Sequence, residues 1–137
     1  MDKEQIRQKR CEEERARLLL GKTCQARLAE RETALRIGPT ASHRFDIYEP
    51  KRFIGGISTS PWIVGHSSNN TGGQDRVSTE LLWLSLWEGD ERRVMVLTNR
   101  EMATRTFERW EGCPFRHPID IIFCDLCKET LETIGSL

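Results

Sequence analysis

Asp46 is the residue whose type and setting most suggest chemistry. It is a single carboxylate between Phe45 and Ile47 in the stretch HRFDIYEPKRFIGGISTSPW, His43 to Trp62. Because strand neighbours alternate faces, an acid in such a place either faces solvent or is held inward as a site residue. Carboxylates that could join it are Glu80 in an apolar segment, Asp75 just before that segment, and Glu30 and Glu32 nearer the N-terminus. Magnesium needs one or two carboxylates beside several waters and a substrate phosphate, so Asp46 alone, with Gly56 and Ser58 nearby, is a poor site for it. A second constellation is Cys113, His117, Cys124 and Cys127, spaced C-x3-H-x6-C-x2-C, the ligand types of tetrahedral zinc. Cys124 directly follows the apolar run Ile119 to Phe123, however, which leaves little room for a separate zinc knuckle, so buried thiols packing a strand end are the plainer account. His43 and His66 have no triad-like companions and are expected to be hydrogen-bonded or exposed.

Candidate phosphate contacts are Lys51 and Arg52, Arg76, and Arg92 with Arg93. Facing one groove, they would bind DNA in a salt-dependent way. The whole chain offers no such field, since 21 basic residues balance 21 acidic ones. No run approaches the roughly 20 apolar residues needed to cross a bilayer, and the charged start MDKEQIRQKR is not followed by a signal-peptide core. A soluble, intracellular, cytoplasmic protein without a membrane partner is the expectation, with its five cysteines reduced. The sequon-like Asn69-Asn70-Thr71 is then simply part of a loop.

The elements that must position these residues follow from pattern. Residues 2 to about 36 are rich in helix formers and predict one long charged helix, closed by Gly38-Pro39. Its first seventeen residues carry little apolar material and predict a solvated extension, leaving 18–137 as the core of a single domain spanning 1–137. Alternation on either side of Glu49-Pro50-Lys51 predicts a hairpin with Asp46 inside its first strand. Trp62 to Val64 is a short extended piece, and residues 65–74, GHSSNNTGGQ, a mobile loop. Asp75 to Trp87 is a helix apolar on most of its circumference, to be buried on more than one side or to form half of a homodimer interface. Strands are expected at Arg93–Leu97 and Ile119–Phe123, and helices from Thr98 or Asn99 to about Trp110 and from Asp125 to about Ile134. Alternating strand and helix imply an α/β fold, a mixed central sheet flanked by helices on both faces.

The order of a helix, the FD and IG hairpin, a glycine-rich loop, the LLWLSL helix, the basic strand RRVMVLTNREM, a further helix and IDIIF resembles the PD-(D/E)XK nuclease superfamily over roughly residues 18 to 130. The resemblance implies a restriction-endonuclease-like fold, with Asp46 at the family's aspartate, a magnesium ligand. Aligning Ile54-Gly55 with the family's apolar-Gly pair places Gly56 at its second acid and Ser58 at its lysine. Two of three site residues are therefore replaced. Neither glycine nor serine supplies the missing charge, and losing the ammonium removes a stabiliser of the developing oxyanion usually worth several kcal/mol.

Three functions follow as expectations. The leading one is a degenerate nuclease-like protein that binds DNA or a protein partner. The alternative is an active magnesium-dependent DNA endonuclease whose missing carboxylate comes from Glu80, Asp75 or the first helix, with Lys51 or Arg76 as the replacement cation. The third is a structural subunit that dimerises through the 75–87 helix or the long charged first helix and touches no nucleic acid.

Overall fold

The computed structural model describes residues 2–65 and 68–137. His66 and Ser67, near the start of the glycine-rich segment, lie outside the described residues.

The chain begins with α1, Lys3–Cys24, opened by a capping box in which Asp2 accepts from the Gln5 backbone and Gln5 returns the bond. It stops well before the predicted end. Gln25 takes the left-handed conformation and Ala26 N–H closes on the Gly21 carbonyl at 2.8 Å. The residues expected to continue the helix form β1, Thr33–Arg36, antiparallel to β2, Ser42–Phe45. Gly38-Pro39 thus turns a hairpin instead of capping a helix, and Leu35 reaches the core from a strand.

The predicted central hairpin is present as β3, Ile47–Glu49, and β4, Phe53–Ser58. Pro50 and a positive-φ Lys51 make its turn, closed by Arg52 N–H on the Glu49 carbonyl at 3.0 Å. Asp46 is not inside a strand. It occupies the bend between β2 and β3, where the chain leaves the small hairpin for the main sheet.

A short pair, β5, Ile63–Val64, and β6, Ser68–Asn69, comes next. α2, Thr71–Leu86, starts four residues earlier than expected because the Asn70 side chain accepts from Gly73 N–H and makes a cap from loop-like residues. β7, Arg92–Leu97, α3, Arg100–Trp110, and β8, Ile119–Asp125, fall close to their expected places, with Asn99 capping α3. The last element is a strand rather than a helix. After a turn organised by Asp125 Oδ1, which accepts from Cys127 and Lys128 N–H, β9, Thr130–Ser136, pairs antiparallel with β8.

Among the described residues the architecture is therefore α/β, with three helices and a five-stranded mixed sheet in the order β3-β4-β7-β8-β9. β4, β7 and β8 run parallel, and an antiparallel strand closes each side. Period-2 alternation divides the sheet between two cores. Ala16 and Leu20 of α1 cover Phe53, Ile57, Val94, Val96 and Ile122. On the other face α2 and α3 place Val77, Leu81, Leu84, Met102 and Ala103 over Ile54, Met95, Leu97 and Ile121. Helices do flank both faces. α2 buries one side only, leaving Leu82 and Leu86 at 56% and 47% exposure. No helix of the described residues is long and apolar enough to cross a membrane.

β4 and β7 approach so closely that a Cβ at Gly55 would fall 2.2 Å from the Val94 carbonyl oxygen. Glycine is required there, and this close approach fixes β4 where its C-terminal end can meet Asp46 and α2.

Candidate active site

Asp46, Ser58 and Glu80 line one cavity of about 260 Å³ at the C-terminal end of β4. Lys9 and Glu13 of α1 and Arg76 of α2 line it as well. Two of the acids expected from sequence are thus brought together, one from the bend before β3 and one from α2.

Asp46 is fixed at both ends of the residue. Its Oδ2 accepts from Ile57 N–H at 2.8 Å, and its backbone carbonyl accepts from Arg17 Nε at 2.7 Å. Arg17 also donates to the Glu30 carbonyl at 3.0 Å, tying α1 to the loop behind the bend. Burial pushes the Asp46 carboxyl up to about 6, against the Ile57 hydrogen bond, which pulls it down.

Glu80 comes from the sheet-facing side of α2, next to Leu81 and one turn from Val77 and Leu84. Its Oε1 meets His43 Nε2 at 2.7 Å. Its Oε2 is buried and has no hydrogen-bond partner among the described residues. A Cβ built on Gly56 would lie 2.9 Å from that oxygen and 3.2 Å from Met95 Sδ. Glu80 therefore reaches the space that a side chain at position 56 would need. Burial first, then the Asp46 and Glu32 charges, push its carboxyl up to about 8. Burial likewise lowers the His43 pKa.

Two carboxyls raised by burial and lining one cavity mark a candidate functional site. Among the described residues no group of three or more His, Cys, Asp or Glu side chains could hold a metal ion. The Asp46 and Glu80 pair still fits magnesium, because that ion takes one or two carboxylates and completes its shell with water and phosphate. The orphaned Glu80 Oε2 is the observation behind that fit.

The remaining expected residues separate. Arg76 lines the cavity with its Nη2 3.4 Å from Ser60 Oγ. Lys51 and Arg52 sit in the β3–β4 turn, about 20 Å of strand away from Ser58 at roughly 3.3 Å per residue. Arg52 is engaged with Glu49 and the Gln25 and Cys24 carbonyls. Arg93 is a correction. It is 3% exposed, and its guanidinium donates to the Leu84, Glu91, Trp87 and Gly89 carbonyls, so it closes the C-terminal end of α2 and has no face for phosphate. Asp75 is exposed and does not line the cavity. Glu30 and Glu32 stand in the loop after α1, not on it, and line a neighbouring groove with Glu13, Arg17 and Arg44. Cys113 and His117 precede β8 while Cys127 follows it, and Cys124 is buried under α1, so the four do not gather.

Lys9 and Glu13 were not singled out by sequence reasoning, and His43 was expected only to be hydrogen-bonded or exposed, with no site role. For the first two a signal existed: Lys9, Glu13, Ala16 and Leu20 are spaced four, three and four, one helical stripe that continues the buried face over the cavity. For His43 none did, because its partner comes from α2.

Compared with protein families, curated proteins and solved structures, the chain gives no match. The geometry of the cavity is accordingly what speaks to function.

Proposed function

We propose that this chain is a metal-dependent DNA endonuclease on the PD-(D/E)XK frame, with a restriction-endonuclease-like sheet, in which the second site carboxylate has moved from β4 to α2. The observation that carries this reading is Glu80 Oε2, buried and unpartnered beside Gly56, the position at which the resemblance places the missing acid. Asp46 and Glu80 would hold a divalent cation, here magnesium, which when bound supplies Lewis-acid polarisation of phosphate and a more acidic water.

The chain's own residues supply the rest. Lys9 and Arg76, from opposite helices, line the cavity and offer positive charge to the scissile phosphate and its neighbour. They stand in for the family's lysine, whose position carries Ser58. Ser58 Oγ accepts from Ser60 N–H at 3.2 Å and shapes the rim. Arg17 and Ile57 hold Asp46 in place.

One observation favours the degenerate reading, a DNA- or protein-binding module without cleavage: no lysine stands on β4 itself. Incubating plasmid and branched DNA with purified protein and Mg²⁺ or Mn²⁺, beside Asp46→Ala and an EDTA control, separates the two. Cleavage lost in both controls supports the nuclease. Salt-dependent binding without cleavage under any metal condition supports the binding module.

A further inference from the structure

We propose that His43 is a positioning residue, holding Glu80 at the edge of the cavity with one carboxylate oxygen beside Gly56. The inference rests on the cation-binding reading above and assigns a role to a residue outside the proposed ligand pair.

Three contacts hold the imidazole. Its ring is stacked on Trp83 with centroids 4.8 Å apart and planes 9° from parallel. Its edge meets Phe45, fully buried, at 4.8 Å and 87°. Nε2 meets Glu80 Oε1 at 2.7 Å. Trp83 lies three residues after Glu80 on α2, so the stack and the hydrogen bond bring the ring to one helical face. A side chain with two torsions, packed on two aromatic rings, presents a fixed nitrogen to a glutamate with three torsions.

The consequence for Glu80 is asymmetry. Oε1 is used by His43, and Oε2 has no partner among the described residues. Without the imidazole neither oxygen would have a partner, and the side chain would gain by swinging toward solvent. A group that orients a cation-binding carboxylate usually affects affinity by about 10- to 100-fold.

Two substitutions separate the hydrogen bond from the packing. His43→Phe keeps a ring against Trp83 and Phe45 and loses the nitrogen that bonds Glu80. His43→Gln keeps an amide hydrogen-bonding group at similar reach and loses the stack. Mn²⁺ binding to the full chain is followed by electron paramagnetic resonance and calorimetry, with Asp46→Asn as a control and circular dichroism as the check on folding. Wild type is expected to bind Mn²⁺, His43→Phe to bind about 10- to 100-fold more weakly while folded, and His43→Gln to recover most of the loss. His43→Phe binding as tightly as wild type, or His43→Gln no better than His43→Phe, overturns the inference and leaves the site standing. If His43→Phe does not fold, His43→Gln decides, with affinity near wild type supporting the role and loss as deep as Asp46→Asn overturning it. Absence of Mn²⁺ binding by wild type overturns both the site and the role of His43.

Discussion

Glu80 and Gly56 share one space: a Cβ at position 56 would fall 2.9 Å from Glu80 Oε2, closer than real Cβ contacts come. A glycine on β4 and a carboxylate on α2 are thus mutually dependent. Gly56→Ala must displace the far end of the flexible Glu80 or Met95 side chain, and is expected to cost about 1 kcal/mol, the low end for overpacking, in urea unfolding. It should also weaken cation binding. Gly56→Glu combined with Glu80→Ala returns the acid to the strand, and we expect it to regain part of the cleavage that Glu80→Ala loses. A double variant as inactive as Glu80→Ala would show that the two positions are not interchangeable.

pH should act on stability through the same acids. Folding raises the Asp46 carboxyl from 3.8 to about 6 and that of Glu80 from 4.5 to about 8. The folded state therefore binds these protons more tightly than the unfolded state. Their contribution is fully present below about pH 4 and is lost as pH rises through 6 for Asp46 and 8 for Glu80. Glu80→Gln removes the larger penalty. Its stability gain over wild type should grow from pH 5 to pH 8, reaching on the order of 3 kcal/mol at ~1.4 kcal/mol per unit of pKa. A difference between the two proteins that does not change with pH in urea unfolding would contradict this.

Arg93 is predicted to matter for folding and not for nucleic acid. Truncating it to alanine leaves the Leu84, Glu91, Trp87 and Gly89 carbonyls without their shared donor at the end of α2. Each buried carbonyl left unpaired costs about 1–3 kcal/mol, so a clear loss of stability is expected. Arg93→Lys should recover only part of it, because an ammonium cannot span that fork of acceptors. The salt dependence of DNA binding, measured on any folded variant, should not change.

Lys9 and Arg76 are predicted to behave in the opposite way. Each substitution to alanine should leave the thermal midpoint close to wild type and reduce the slope of log affinity against log salt by about one. Lys51→Ala and Arg52→Ala, at the far end of β4, should leave the slope unchanged. An equal effect from both pairs would place DNA along the hairpin rather than across the cavity.

What could be read from the sequence and what could not has a physical pattern. β7 and β8 were legible because Arg93–Leu97 and Ile119–Phe123 are apolar runs too short for a helix, and α3 because Asn99 caps it. β9 was not, since Leu131 and Glu132 favour helix and only pairing with β8 makes Thr130–Ser136 a strand. The end of α1 was hidden because Gln25, not a glycine, takes the left-handed conformation there. Asp46 stood out because a carboxylate between Phe45 and Ile47 is uncommon, and Glu80 because it interrupts an apolar helix. Their meeting was not readable, since it depends on Gly56 leaving room and on His43 turning Glu80 inward, relations between residues 24 and 37 positions apart. Arg93 was misjudged for the same reason, its acceptors being set by how α2 ends.

The most direct test is Mn²⁺-dependent cleavage of plasmid DNA by wild type and Glu80→Gln, compared at one pH with both shown to be folded. The relocated-carboxylate account predicts cleavage by wild type, abolished by EDTA and reduced at least a hundredfold in Glu80→Gln, the order expected on losing a charged group that acts in the transition state. Cleavage by Glu80→Gln at the wild-type rate would contradict it.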